Sequence, residues 1–182
     1  MTTNHTHASD ENSVTEGNAH DDTPRTLKEL MPSGMCVAMV NTMIGRTHTS
    51  RPVTVVETIG PRLSFLVDRK ADWVASIAGR EALVHVTVAN DSHSLYLDLT
   101  GTAIVVKDSA DAARLWSKPA EIWFDGPDDP DLAVLHFDVT EGQYWDGPDG
   151  IVSRAVAMAR ALVTDSDQAL GTSGPIAGLP TP

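Results

Sequence analysis

The 182-residue chain has a single cysteine, Cys36, so it can form no intrachain disulfide. Its neighbours Met35, Val37 and Ala38 are apolar, which reads as a buried thiol rather than a reactive one. A reducing, cytoplasmic compartment fits. The first 24 residues lack a cationic start and an apolar stretch, and no run approaches the ~18 apolar residues of a membrane span. Neither export nor membrane insertion is expected. Positive charge is also scarce: 13 Lys and Arg against 25 Asp and Glu leave a formal charge of −12. Five of those acids lie in residues 1–24 and two in 164–182, so the body between them balances 18 acids against all 13 bases. Such a surface repels phosphodiesters and presents no basic stripe with interleaved aromatics, which argues against a nucleic-acid partner. Catalytic signatures are missing as well. There is no Gly-x-Gly-x-x-Gly, P-loop, His-Glu-x-x-His or Gly-x-Ser-x-Gly, and no catalytic residue is assigned.

What is present divides into a tail, a body and a second tail. With 41% apolar and 21% charged residues, the chain suits one domain with its own core, placed at 25–163. Residues 1–24, rich in Thr, Asn, His and acids, have too little to bury and read as a disordered acidic tail. Residues 164–182, punctuated by Gly and Pro, read as a flexible C-terminal tail. His5, His7 and His20 sit on the first tail without the supporting shell a metal site needs. The acids Asp125, Asp128, Asp129 and Asp131 depart from calcium-loop spacing and contain two prolines, which reads as a solvated turn. His85, His93 and His136 read as ordinary strand or loop histidines, and no metal is expected.

Strands dominate the body. Met35–Met43 is apolar on both alternating faces, the pattern of a central strand buried on both sides. Pro52–Thr58, a turn at Gly60-Pro61, and Arg62–Val67 follow with antiparallel spacing. Leu83–Ala89 should bury Val84, Val86 and Val88 and turn His85 and Thr87 away. Ser94–Val106 alternates Leu95, Leu97 and Leu99 with polar residues, Gly101 marking a bend. Leu132–Val139 completes the set. Helices are expected from an Asp68 cap to about Ala78, from Ser109 through Trp116, and over Ile151–Val163, the last with an apolar stripe. Strands without a βαβ rhythm argue for a mainly β, α+β fold: an antiparallel barrel with a few peripheral helices.

The strand with Ser50-Arg51-Pro52, a turn, and the strand ending Phe65-Leu66-Val67-Asp68 before a helix form one element of a resemblance. Leu99-Thr100-Gly101-Thr102-Ala103 and the Tyr144-Trp145-Asp146-Gly147-Pro148 end form two more. Together they resemble the general stress protein branch of the pyridoxamine 5'-phosphate oxidase-like, FMN-binding split barrels, over roughly Thr26 to Val163. The resemblance implies a split barrel, a homodimer, and FMN held at the subunit interface for redox chemistry. It places Arg51, Pro52 and Val53 beside the flavin, Val67 and Asp68 at the ring edge, and Trp116 across the dimer interface. The alternatives are an ion pair of Arg51 with Glu57 or Asp98, an edge-strand role for Pro52, and core packing for Trp116.

One departure stands out. Where the family reads Thr-Asp-x-x-Ser-x-Lys-Val and uses the Ser and Lys for the phosphate, this chain reads Val67-Asp68-Arg69-Lys70-Ala71-Asp72-Trp73-Val74. Losing one charge-assisted phosphate contact costs roughly 1.5–3 kcal/mol, about ten- to hundredfold in affinity. FMN binding is expected to be weak or lost, with Arg69 and Lys70 restoring part of the charge from the same side of the helix as Trp73. A second expectation, from a different class, is a cofactor-free barrel acting as a binding or scaffold module, with Trp73 filling the phosphate pocket. An F420-dependent reductase is a third, less favoured because a polyanionic tail wants a cationic groove.

Overall fold

The computed structural model describes residues 24–147 and 172–180. Its strands are β1 (Cys36–Ile44), β2 (Thr47–Ile59), β3 (Arg62–Asp68), β4 (Ala82–Asn90), β5 (Leu95–Val106), β6 (Leu132–Asp146) and β7 (Thr172–Pro175). They are ordered β3-β2-β1-β4-β5-β6-β7, every neighbour antiparallel, and β6 pairs back to β3. That closure turns β1 to β6 into a six-stranded barrel, which leaves few free edges. Among the described residues, three short α-helices lie around it: α1 (Leu27–Leu30), α2 (Asp72–Ile77) and α3 (Ser109–Leu115).

Period-two alternation fills the barrel. Val84, Val86 and Val88 of β4, and Leu95, Leu97 and Leu99 of β5, are buried as their alternation predicts. They meet Val40, Leu63, Phe65, Leu135 and Phe137 in one core. A second apolar cluster lies outside the barrel, where Ala112 and Leu115 of α3 cover Leu132 and Val134 of β6.

Two glycines make the backbone path possible. Gly60 holds a φ of 56°, the positive value that a primed two-residue hairpin turn demands at its first position. Gly101 sits where the β5–β6 register shifts, and a Cβ there would lie 2.0 Å from the Asp138 carbonyl oxygen. The bend expected at Gly101 is thus a close backbone approach.

Several expectations need correction. β1 is central, between β2 and β4, but it is buried on one face only. Ala38, Val40 and Thr42 point inward, whereas Val37 and Met39 are 56% and 38% exposed. The helix expected from Asp68 begins at Asp72, with Ala71 as N-cap, because the Asp68 carboxylate instead accepts the Lys70 N–H in a turn. Asp108, not Ser109, caps α3, its Oδ1 accepting from the N–H groups of Ala110 and Asp111. β2 and β6 extend beyond the expected limits, and Ser94 falls just outside β5 with a φ of 52°. Within the stretch read as a loose C-terminal tail, residues 172–175 pair with Gln143–Asp146, and Ile176 is buried. Nearly all of the N-terminal tail, the tail histidines and the helix expected over Ile151–Val163 lie outside the described residues.

Candidate functional site

The barrel is split at one seam. β2 pairs with β3 only from Val55 to Ile59, while β3 continues along β6 through Leu66, Val67 and Asp68. Beyond Val55 the two strands part, and a cleft of about 650 Å³ opens between them. Arg51, Pro52 and Val53 form one wall and Leu66, Val67 and Asp68 the other, with Ala71 and Trp73 between them. Pro52 is tolerated because this half of β2 has no β3 partner awaiting its N–H. A 3-10 turn, Lys118–Ile122, brings Ile122, Trp123 and Phe124 to the mouth, with Trp123 80% exposed.

Six residues expected at a flavin site therefore line one cleft: Arg51, Pro52, Val53, Val67, Asp68 and Trp73. Register explains Arg51. It pairs with Val40, so its side chain shares the inward face with Thr42 and Thr49 and reaches the open end of the barrel. Its Nη1 donates to Thr42 Oγ1 at 2.9 Å and its Nη2 donates to Thr49 Oγ1. The guanidinium also stacks on the Trp73 ring, 4.6 Å from the centroid. Burial draws its pKa below the usual guanidinium value, yet an arginine stays charged at any physiological pH.

No carboxylate pairs with Arg51 among the described residues. Glu57 goes to Arg114 and Asp98 to His85, so the ion pairs expected as alternatives are not formed.

The other three expected residues are elsewhere. Lys70 Nζ donates to Asp131 Oδ2 at 2.6 Å, and the Arg69 guanidinium also approaches Asp131. Both precede α2 rather than sharing its face with Trp73, so the expected charge compensation is absent from the cleft. At six residues, α2 spans fewer than two turns and offers little dipole of its own. Trp116 packs in the outer cluster with Val56, Leu66 and Phe124, while its neighbour Ser117 lines the cleft.

Sequence reasoning missed the wall made by residues 117–124. The apolar run Ile122-Trp123-Phe124 was its only trace. It also missed the contacts of two histidines. His85 Nε2 meets Asp98 Oδ1 on the outer barrel face, within a second groove of about 670 Å³ that includes Val37, Met39, Tyr96 and Trp145. His136 joins Ser64 Oγ at 3.1 Å through Nδ1 and Asp111 Oδ2 at 2.8 Å through Nε2. That order of groups imitates a hydrolytic triad, but Ser64 is 2% exposed and no substrate could reach it. The network instead ties α3 to β3 and β6. Hydrogen bonding from Arg114, followed by that from His136, holds the Asp111 carboxyl below its ordinary range. Burial raises the Cys36 thiol above its ordinary value, which fits an inert side chain.

No group of three or more potential metal ligands occurs among the described residues. Among them, no helix is long and apolar enough to cross a membrane.

Solved structures share the architecture. A protein described as general stress protein 26 from Jannaschia sp. CCS1 superposes with a TM-score of 0.65 at 24% identity, over 77% of this chain and 88% of its own. The general stress FMN/FAD binding protein from Xanthomonas citri gives 0.55 at 24% identity, over 61% and 80%. General stress protein 26 from Bacillus anthracis str. Sterne gives 0.55 at 19%, over 61% and 84%. At these identities the likeness is one of fold. The search of curated proteins finds no match. The family described as pyridoxamine 5'-phosphate oxidase like matches residues 22–168, most of the chain. This sequence match, on a split barrel with a cleft at its seam, makes the chain a member of the pyridoxamine 5'-phosphate oxidase-like family.

Proposed function

We propose that the chain works as a homodimer that binds flavin mononucleotide, weakly, in the cleft between β2 and β3. The observation that carries this reading is Arg51: a half-buried cation without a carboxylate partner among the described residues, at the rim of an apolar cleft of about 650 Å³. Small-ligand pockets are commonly of this size, with apolar walls and few polar anchors. Val53, Val67 and Trp73 suit the faces of a flavin ring, and Arg51 suits an electron-rich edge or a phosphate. The relative from Xanthomonas citri, described as binding FMN or FAD, supports the same ligand class.

A bound flavin would supply the redox chemistry. The protein's own part would be to orient the ring between Val53 and Val67, hold Arg51 in place through Thr42 and Thr49, and shed water at the apolar walls. This makes a flavin-dependent oxidoreductase the activity to test, in a cytoplasmic setting.

Dimerisation draws support from the exposed outer face. Val37, Met39, Tyr96 and Trp145 form apolar surface continuous with the cleft, since Val37 lines both. F420 has less support, because Arg51 is the only cation lining the cleft among the described residues. A cofactor-free binding module is the second reading, favoured by the Trp73 indole lying against that cation.

Purified protein with flavin absorbance, or colourless protein that takes up added FMN with saturation, supports the first reading. Colourless protein that leaves added FMN free at high concentration supports the second. Light scattering on the same preparation tests the dimer.

A further inference from the structure

We infer that the cleft selects a flavin by its ring and not by its phosphate, so that riboflavin and flavin mononucleotide bind less than about tenfold apart. This rests on the flavin reading above and concerns which part of the ligand the site reads.

Tight phosphate sites gather several charged or backbone donors onto one anion. Here the described lining holds one cation, Arg51, and one carboxylate, Asp68, which leaves the cleft without net positive charge. Two of the guanidinium's five donors already serve Thr42 and Thr49. The guanidinium also lies over the Trp73 indole, 4.6 Å from its centroid. The nearest additional cations along the chain, Arg69 and Lys70, are drawn to Asp131 and do not line the cleft.

The ring side is better provided. Val53, Val56, Leu66 and Val67 offer apolar walls, and the indoles of Trp73 and Trp123 offer two aromatic surfaces. Burial and stacking reward a tricyclic ring whether or not a phosphate follows it. Trp73 emerges as the specificity-determining residue: it adds aromatic surface for the ring and occupies space beside Arg51.

Titration of riboflavin and flavin mononucleotide into the wild-type chain, followed by quenching of flavin fluorescence and by calorimetry, tests this directly. Dissociation constants less than about tenfold apart support it. Mononucleotide binding about tenfold or more tighter than riboflavin overturns it while leaving the flavin reading standing. Binding of neither overturns both. Trp73→Lys, which removes an indole from the ring side and adds an ammonium beside Arg51, should weaken riboflavin and raise the preference for the mononucleotide over riboflavin by about tenfold. An equal effect on both ligands would remove Trp73 from the specificity role. Should that variant misfold, the wild-type ratio still decides.

Discussion

The Arg51 guanidinium lies over the Trp73 ring, its central carbon 4.6 Å from the ring centroid, at the cleft that both residues line. This contact joins β2 to α2 where no β2–β3 ladder does so. A stacked cation of this kind contributes ~0.5–1 kcal/mol when exposed and about 2 when desolvated. A double-mutant cycle with Arg51→Met and Trp73→Leu should therefore give a coupling of about 0.5–2 kcal/mol in urea unfolding. Additive losses would mean that the two side chains merely lie close.

Gly101 is the position least able to accept a side chain. An added Cβ would lie 2.0 Å from a backbone oxygen of Asp138, which cannot rotate away. At Gly142 the closest atom, at 2.8 Å, is the Cδ1 tip of Ile176, a flexible side chain. Gly101→Ala should thus cost about 3 kcal/mol or more, and Gly142→Ala about 1, both read from urea midpoints. Equal costs at the two positions would contradict the register shift seen between β5 and β6.

The contrast between strands and site shows what a sequence pattern records. Val84, Val86 and Val88 betrayed one buried face because β4 is covered by the barrel interior alone. β1 also betrayed its apolar faces, but periodicity registers apolarity without naming what covers it. The inner face is filled by the barrel, whereas Val37 and Met39 are left exposed. Arg51, Pro52, Val53, Val67, Asp68 and Trp73 could be gathered in advance because a family resemblance links residues that spacing alone does not. Arg69 and Lys70 could not be placed, since their direction depends on Asp68 closing a turn and on Asp131, sixty-one residues beyond Lys70, drawing the ammonium away. The wall at 117–124 left only the apolar run Ile122-Trp123-Phe124 as a trace, because a single 3-10 turn has no period to detect. β7 was hidden for a related reason: Thr172–Pro175 is held by backbone pairing, to which composition is blind.

Asp111 leads to a prediction about acid. Its folded-state pKa is lowered, by Arg114 first and His136 next, so the folded chain favours the ionised form more than the unfolded chain does. A depressed carboxylate adds stability that is full above the unfolded value of about 3.9 and is lost as pH falls through the folded value. Urea midpoints of the wild type should hence decline below about pH 5, and those of Asp111→Asn should decline less steeply. Parallel declines would show that the Asp111 network carries no pH-linked stability.

The outer face offers the most direct handle on assembly. Met39, Tyr96 and Trp145 are 38%, 40% and 43% exposed, and they line the groove that reaches the cleft through Val37. The His85–Asp98 pair is the only ionisable pair in that groove among the described residues. If two copies meet there, as we propose, a buried carboxylate introduced among these side chains lacks a partner and opposes association by several kcal/mol. Met39→Glu should then run as a monomer in light scattering at concentrations where the wild type is a dimer. Its fold should survive, because the side chain points away from the barrel core and a single-chain circular dichroism spectrum does not depend on what covers that face. A Met39→Glu variant that remains dimeric would move the interface elsewhere on the barrel.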